Sequence, residues 1–106
     1  MVSRQADMLA KLKSEIELVS RHLEVIRAVV ENQPIGIMKL SEVLDLPYHR
    51  VRYSLRILEQ EGYIRASPAG AVATALAADL LSGLEGEIDE LIGLLVTIQE
   101  ENSRNL

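Results

Sequence analysis

The sequence predicts a mostly α fold with a small β-hairpin and a long helix at each end. Three observations predict it. First, Leu9, Leu12, Ile16, Val19, Leu23, Ile26 and Val30 recur at alternating spacings of three and four, and Leu81, Leu84, Ile88, Leu91, Leu95 and Ile98 repeat that pattern far downstream. Such spacing lines apolar side chains along one helix face. Second, Pro47 and Gly62 bracket a short amphipathic stretch, with proline suited to a helix start and glycine to its end. Third, Tyr63-Ile64-Arg65-Ala66-Ser67 and Ala71-Val72-Ala73 flank Pro68-Ala69-Gly70, two short strands around a turn signal.

Taken in order, residues 3–31 read as helix, continuous or restarting near Ser20. A stripe this long outgrows a small core. Residues 23–30 are therefore expected in the core and 9–19 on a partner chain, the simpler alternative being one amphipathic core helix. Asn32-Gln33-Pro34 ends the helix, because proline cannot continue it and pushes the preceding residue towards extended geometry. Residues 35–37 read as a very short strand. A second helix over 37–44 is anchored by Met38, Leu40, Val43 and Leu44, and Asp45-Leu46 forms a tight turn. The third helix spans 47–61, with Val51, Leu55 and Leu58 inward beside Ile57. Thr74 is placed to N-cap the last helix, over 75–101, with a break near Ser82-Gly83 and a frayed end over 102–106. Gly83, Gly86 and Gly93 fall inside it, each weakening it by about 1 kcal/mol relative to alanine. They read either as points of close approach by another helix or as tolerated weakness.

The chain has 106 residues, enough for one domain. Apolar residues make up 48 %, which points to an interface with another chain. There is no Cys, Trp or Phe; disulfides and thiolate metal sites are excluded, and a cytoplasmic location is expected. Residues 1–13 mix charges through their apolar positions and lack a signal-peptide core. The weakly polar run 68–84 carries Asp79 and is too short and too weakly apolar for a membrane span. No catalytic constellation emerges: His22 and His49 are far apart, Glu100-Glu101 are adjacent and do not face one another on a helix, and no glycine-rich phosphate loop occurs. The expectation is no enzyme, no cofactor and no metal site.

The net charge of −5 argues against a general nucleic-acid binder, but its distribution matters more. Residues 1–46 carry six basic and seven acidic side chains, residues 47–69 four Arg against two Glu, and residues 70–106 one Arg against seven acids. On the third helix, the face opposite Val51, Leu55 and Leu58 carries Tyr48, His49, Arg50, Arg52, Tyr53 and Arg56, with no acid between Pro47 and Leu58. An α-helix fits the DNA major groove. The planar guanidinium pairs with guanine O6 and N7 or with phosphate. Arg50, Arg52 and Arg56 are therefore the main candidate DNA contacts, Arg52 and Tyr53 for bases and Arg56 for phosphate. Tyr63 is expected to pack on the core.

Residues 34–74 resemble the winged helix-turn-helix of prokaryotic transcription regulators, in the broad group that includes the MarR, ArsR and PadR families. The matching residues are Leu40-Ser41-Glu42-Val43-Leu44-Asp45-Leu46-Pro47 and Val51-Arg52-Tyr53-Ser54-Leu55-Arg56-Ile57-Leu58-Glu59-Gln60-Glu61-Gly62-Tyr63-Ile64. The resemblance implies that the second block is a recognition helix, its glycine cap and the first wing strand. Many relatives carry a longer wing with a basic tip; here the tip is Pro68-Ala69-Gly70, and Arg65 alone is near enough to reach a phosphate. So plain a wing predicts few phosphate contacts per domain and a need for avidity from a second copy. The resulting expectation has three parts: 1–19 as an N-terminal dimerisation extension, 20–74 as the DNA-binding domain, and 75–106 as the C-terminal dimerisation helix. Leu9, Leu12, Ile16 and Val19 with Leu84, Ile88, Leu91, Leu95 and Ile98 are the expected dimer seam. The functional expectation is a homodimeric repressor that binds double-stranded DNA, without membrane contact. A small effector between the dimer helices is permitted by the resemblance but indicated by no polar constellation. The alternative is a winged-helix protein-interaction module that does not bind DNA, favoured by the acidic total charge and the plain wing.

Overall fold

A computed structural model describes residues 4–104 as four helices and a two-stranded antiparallel sheet. The order is α1 (Arg4–Asn32), α2 (Ile37–Leu44), α3 (Tyr48–Gln60), β1 (Ile64–Ser67), β2 (Gly70–Ala73) and α4 (Ala75–Arg104). The expected helix start at Ser3 and the last two residues of the expected frayed end lie outside the described residues.

Local sequence chemistry explains most boundaries. Helix α1 stops at Asn32, whose side-chain amide donates back to the Ala28 carbonyl at 2.8 Å, two residues before Pro34. Asp45 ends α2 in the left-handed conformation (φ 52°), which aspartate tolerates better than most residues. The Ser41 hydroxyl closes the same turn by donating to the Leu46 carbonyl. Pro47 stands just before α3 rather than inside it, and its carbonyl accepts from the Arg50 and Val51 amides at 3.0 and 3.3 Å. Gly62 follows α3 with φ +85°, the glycine-favoured conformation past a helix end. Neither long helix breaks: α1 runs through Ser20 and α4 through Ser82-Gly83. Helix α4 also continues past Asn102 to Arg104, beyond the expected start of fraying.

Two further expectations are corrected. The Thr74 hydroxyl does not cap α4; it donates back to the carbonyls of Gly62 (2.6 Å) and Tyr63 (3.2 Å), tying the start of α4 to the lead-in of β1. The segment 35–37 is a single bridge, Ile35 paired with Ala71 through bonds of 3.1 and 2.8 Å. Gly83, Gly86 and Gly93 face open space within this chain, so of their two readings tolerated weakness fits the chain taken by itself.

One core gathers Val25, Ile26, Ala28 and Val29 from α1, Leu40 from α2, Val51 and Leu58 from α3, Ile64 from β1 and Ala77 from α4, with Ile35 between, and half-buried Ala71 and Ala73 of β2 pack against it. Tyr63 packs on its edge, as expected. Of the heptad seam only Ile26 is fully in the core, and the other α1 core residues lie off the seam. Val25, Ala28 and Val29 are buried, whereas Val30 is 39 % exposed and Leu23 only half-buried. Here α1 meets α2, α3 and β2 together, so the buried arc is wider than a seam facing one partner.

The hairpin pairs Ile64 with Ala73 through to Ser67 with Gly70. At Gly70 (φ +131°) a Cβ would stand 2.6 Å from the Ile35 carbonyl carbon, against rigid backbone. Gly70→Ala is therefore expected to cost at least about 2 kcal/mol, from backbone strain and steric overlap together. Urea unfolding checks this, and an unchanged midpoint contradicts it.

Candidate nucleic-acid interface

The core fixes how α3 is rotated. Val51, Ser54 and Leu58 are buried, and Leu55 and Ile57 half-buried, on one side. Residues follow one another by about 100° around a helix. His49, Tyr53, Arg56 and Gln60 consequently point away from the core, with Arg52 on one flank and Arg50 on the other. Tyr48, His49, Arg50, Arg52, Tyr53 and Arg56 are all exposed. Arg50 faces back towards α1, where it lines a cleft with Glu17, Arg21 and Glu24. Arg65 is exposed on β1, with no hydrogen bond or ion pair linking it to α3. Among the described residues the only ion pair is Lys39–Glu42, 3.6 Å apart and exposed on both sides. None of the α3 arginines is ion-paired among the described residues, although Arg50 shares its cleft with Glu17 and Glu24.

Beside this face, α1 and α3 meet through a polar contact that the sequence does not announce. Ser54 is fully buried. Its Oγ lies 3.2 Å from Arg21 Nε, which donates to it, and 2.8 Å from His22 Nδ1. The Tyr53 ring, 38 % exposed, sits among the same groups. The Arg21 guanidinium carbon is 5.9 Å from its centroid, that of Arg56 5.6 Å, and the His22 ring 6.2 Å. Each cation–ring contact at such a site contributes about 0.5–1 kcal/mol. The two together hold Tyr53 and Arg56 in place on the outward surface.

Ser54 had a signal in the sequence, since three residues after Val51 and four before Leu58 is the same helix face. Arg21 and His22 had none, being more than thirty positions away in the chain. His22 is held below the ordinary histidine pKa. Partial burial disfavours the charged ring most, the neighbouring Arg21 adds repulsion, and Glu61 pulls the other way.

A second surface lies between the long helices. Ile16, Val19 and Leu23 of α1 and Ile88, Leu91, Ile92 and Leu95 of α4 line an open apolar groove of about 570 Å³. Of the expected dimer seam, Leu9, Leu12, Ile16, Val19, Ile88, Leu91, Leu95 and Ile98 are exposed, whereas Leu84 is half-buried within its own chain. Among the described residues no group of three or more His, Cys, Asp or Glu could hold a metal ion, and no helix is long and apolar enough to cross a membrane.

No protein-family model and no curated protein matches the chain. Among solved structures it is similar to the activation domain of the phage T4 transcription factor MotA, with a TM-score of 0.53 and 21 % identity over 64 % of this chain and 79 % of that one. The likeness is one of fold.

The depressed His22 pKa has a consequence for stability. As the pH falls below about 6.5, the unfolded chain takes up this proton before the folded chain does. That contribution to stability is complete above the ordinary histidine pKa and shrinks as the pH drops through it. His22→Gln cannot titrate and is expected to flatten the dependence between about pH 5 and pH 7.5. Urea midpoints across that range check this; parallel curves for the two proteins contradict it.

Proposed function

We propose that the chain is a homodimeric, sequence-specific DNA-binding regulator of transcription, acting in the cytoplasm and repressing by occlusion, within the MarR, ArsR and PadR group of winged helix-turn-helix proteins. The observation that carries this reading is the outward face of α3. It presents Arg52, Arg56, His49 and Tyr53 with no carboxylate paired to them, in a protein whose net charge is −5. An acidic chain that keeps an unneutralised cationic helix surface has a partner of opposite charge to meet there. The similarity to a domain of a transcription factor supports the same direction.

In this reading α3 enters the major groove, with Arg52 and Tyr53 on base edges and Arg56 on phosphate. Arg50, on the flank towards α1, contacts the backbone, as do Tyr48 and His49 at the start of the helix. Arg65 adds a phosphate contact from the wing. Residues 20–74 form the DNA-binding unit.

The long helices supply the second half of the mechanism. Met8, Leu9, Leu12, Ile16 and Val19 on α1, and Ile88, Leu91, Ile92, Leu94, Leu95, Val96 and Ile98 on α4, are 40–63 % exposed. Leaving half of each such side chain in water forgoes roughly 1 kcal/mol apiece. A second copy is the occupant we assign to this surface. Residues 70–106 carry seven acids against one Arg, so two α4 helices side by side repel. Helix α1 has no net charge, with Arg4, Lys11, Lys13, Arg21 and Arg27 against Asp7, Glu15, Glu17, Glu24 and Glu31. Pairing α1 of one chain with α4 of the other in a four-helix arrangement therefore matches apolar faces without that repulsion. Such a dimer presents two α3 helices to a two-fold symmetric site, and residues 1–19 and 75–106 form its core.

Two experiments test the halves separately. Replacing Arg50, Arg52 and Arg56 together with Ala is expected to weaken duplex binding by a hundredfold or more, since each lost arginine contact costs about 1–3 kcal/mol, and to flatten its salt dependence. A triple variant that binds like the wild type contradicts the site. A wild type that does not bind duplex DNA at low salt favours the protein-interaction module instead. Sedimentation at micromolar concentration is expected to give twice the chain mass, and Leu91→Glu with Leu95→Glu to give a monomer or an unfolded chain. A folded double variant that stays dimeric contradicts the seam.

A further inference from the structure

The junction of α1 and α3 gathers more positive charge than packing requires. Arg21 and His22 share the buried Ser54 hydroxyl through Nε and Nδ1. With His22 neutral and Nδ1 unprotonated, the hydroxyl donates to the ring and accepts from Arg21. This fixes both α1 side chains and uses only one nitrogen of each. The Arg21 Nη groups and His22 Nε2 make no hydrogen bond among the described residues. Arg56 stands beside the same ring from α3, each guanidinium carbon lying within 6 Å of the Tyr53 centroid. No carboxylate stands within ion-pairing distance of either arginine among the described residues. Like charges near one another are unfavourable unless an anion stands by, and Glu17 and Glu24, which share a cleft with Arg21, stand outside ion-pairing distance of it.

We propose that this junction is an oxyanion site for a phosphate group, bound by the Arg21 guanidinium and by His22 Nε2, which Ser54 holds side by side, with Arg56 adding positive charge beside the same Tyr53 ring. A guanidinium presents several N–H donors in a planar fork suited to phosphate oxygens. Ser54 is a positioning residue, holding Arg21 and His22 from beneath. The phosphate is that of a nucleic-acid backbone, a clause that rests on the DNA-binding reading above. The site adds α1 to a footprint otherwise confined to α3 and the wing. Arg21 and Glu61 are the charged groups acting on His22 among the described residues, alongside the Tyr53 ring. An anion bound here offsets the repulsion from Arg21 and raises the His22 pKa towards neutrality.

The test is an NMR titration of the whole chain, following the Arg Nε–Hε signals and the histidine rings, with inorganic phosphate in one arm and a short mixed-sequence duplex in the other. Phosphate is expected to shift Arg21 and His22 saturably and to raise the His22 titration midpoint. Arg21→Gln is expected to abolish the saturable shift and to weaken the duplex about tenfold. Arg21→Lys, which keeps the charge, is expected to recover part of both while showing that the fold tolerates change at this position. If both arms leave Arg21 and His22 unmoved, the site is overturned. If the duplex shifts Arg52 and Arg56 but not Arg21, the site falls and the DNA reading stands. If phosphate binds and the duplex does not, the site stands and its assignment to a nucleic-acid backbone falls.

Discussion

The packing of α1 on α3 is the constraint from which the rest of the molecule follows. Val25, Ile26, Ala28 and Val29 meet a helix that turns Val51, Ser54 and Leu58 inward. Once those three are buried, helical geometry leaves no freedom in where the remaining side chains of α3 point. Basic and aromatic residues come to the surface because the apolar ones are held beneath. Ser54 makes the contact more selective than an all-hydrophobic one: its buried hydroxyl must be satisfied, and only α1 residues at the positions of Arg21 and His22 do so. The apolar contact supplies most of the stabilisation, while the polar one sets the rotation and register of α3 against α1.

The same contact divides the molecule into a packed body and two projecting arms. In the C-terminal half of α1 the helix touches α2, α3 and β2, and its apolar residues are buried. Towards its N-terminus those neighbours run out, and the large apolar residues remain wet. Helix α4 mirrors this, with Ala77 fully buried, Leu80 and Leu81 against the core, and every residue from Glu85 to Arg104 exposed. Among the described residues no further element covers both arms. Exposed apolar residues in lines along two helices, with a groove between them, are the physical ground for a second copy.

Much of the body could be read from residue chemistry because its punctuation is local. Pro34, Asp45-Leu46, Pro47, Gly62 and Pro68-Ala69-Gly70 each act through their own backbone preferences, and each marks a boundary that the fold respects to within a residue or two. What could not be read is what depends on distant partners. The heptad spacing drew attention to Leu23, Ile26 and Val30, whereas the core uses Val25, Ala28 and Val29 as well, because three elements converge there rather than one. The Thr74 hydroxyl serves β1 instead of α4 for a similar reason: a fold that brings Gly62 and Tyr63 alongside offers it acceptors that a local reading does not contain. Within the candidate site, the α3 face was legible from helical periodicity and charge. The contributions of Arg21 and His22 were not, since nothing short of the α1–α3 packing brings them to Tyr53.

The central claim, that the exposed side of α3 reads DNA as one half of a symmetric pair, is tested most directly by selecting bound sequences from a random duplex pool with the unmodified chain. The account predicts enrichment of one short motif in two inverted copies, centred about one helical turn (roughly 10 base pairs) apart. A selected pool indistinguishable from the input contradicts it.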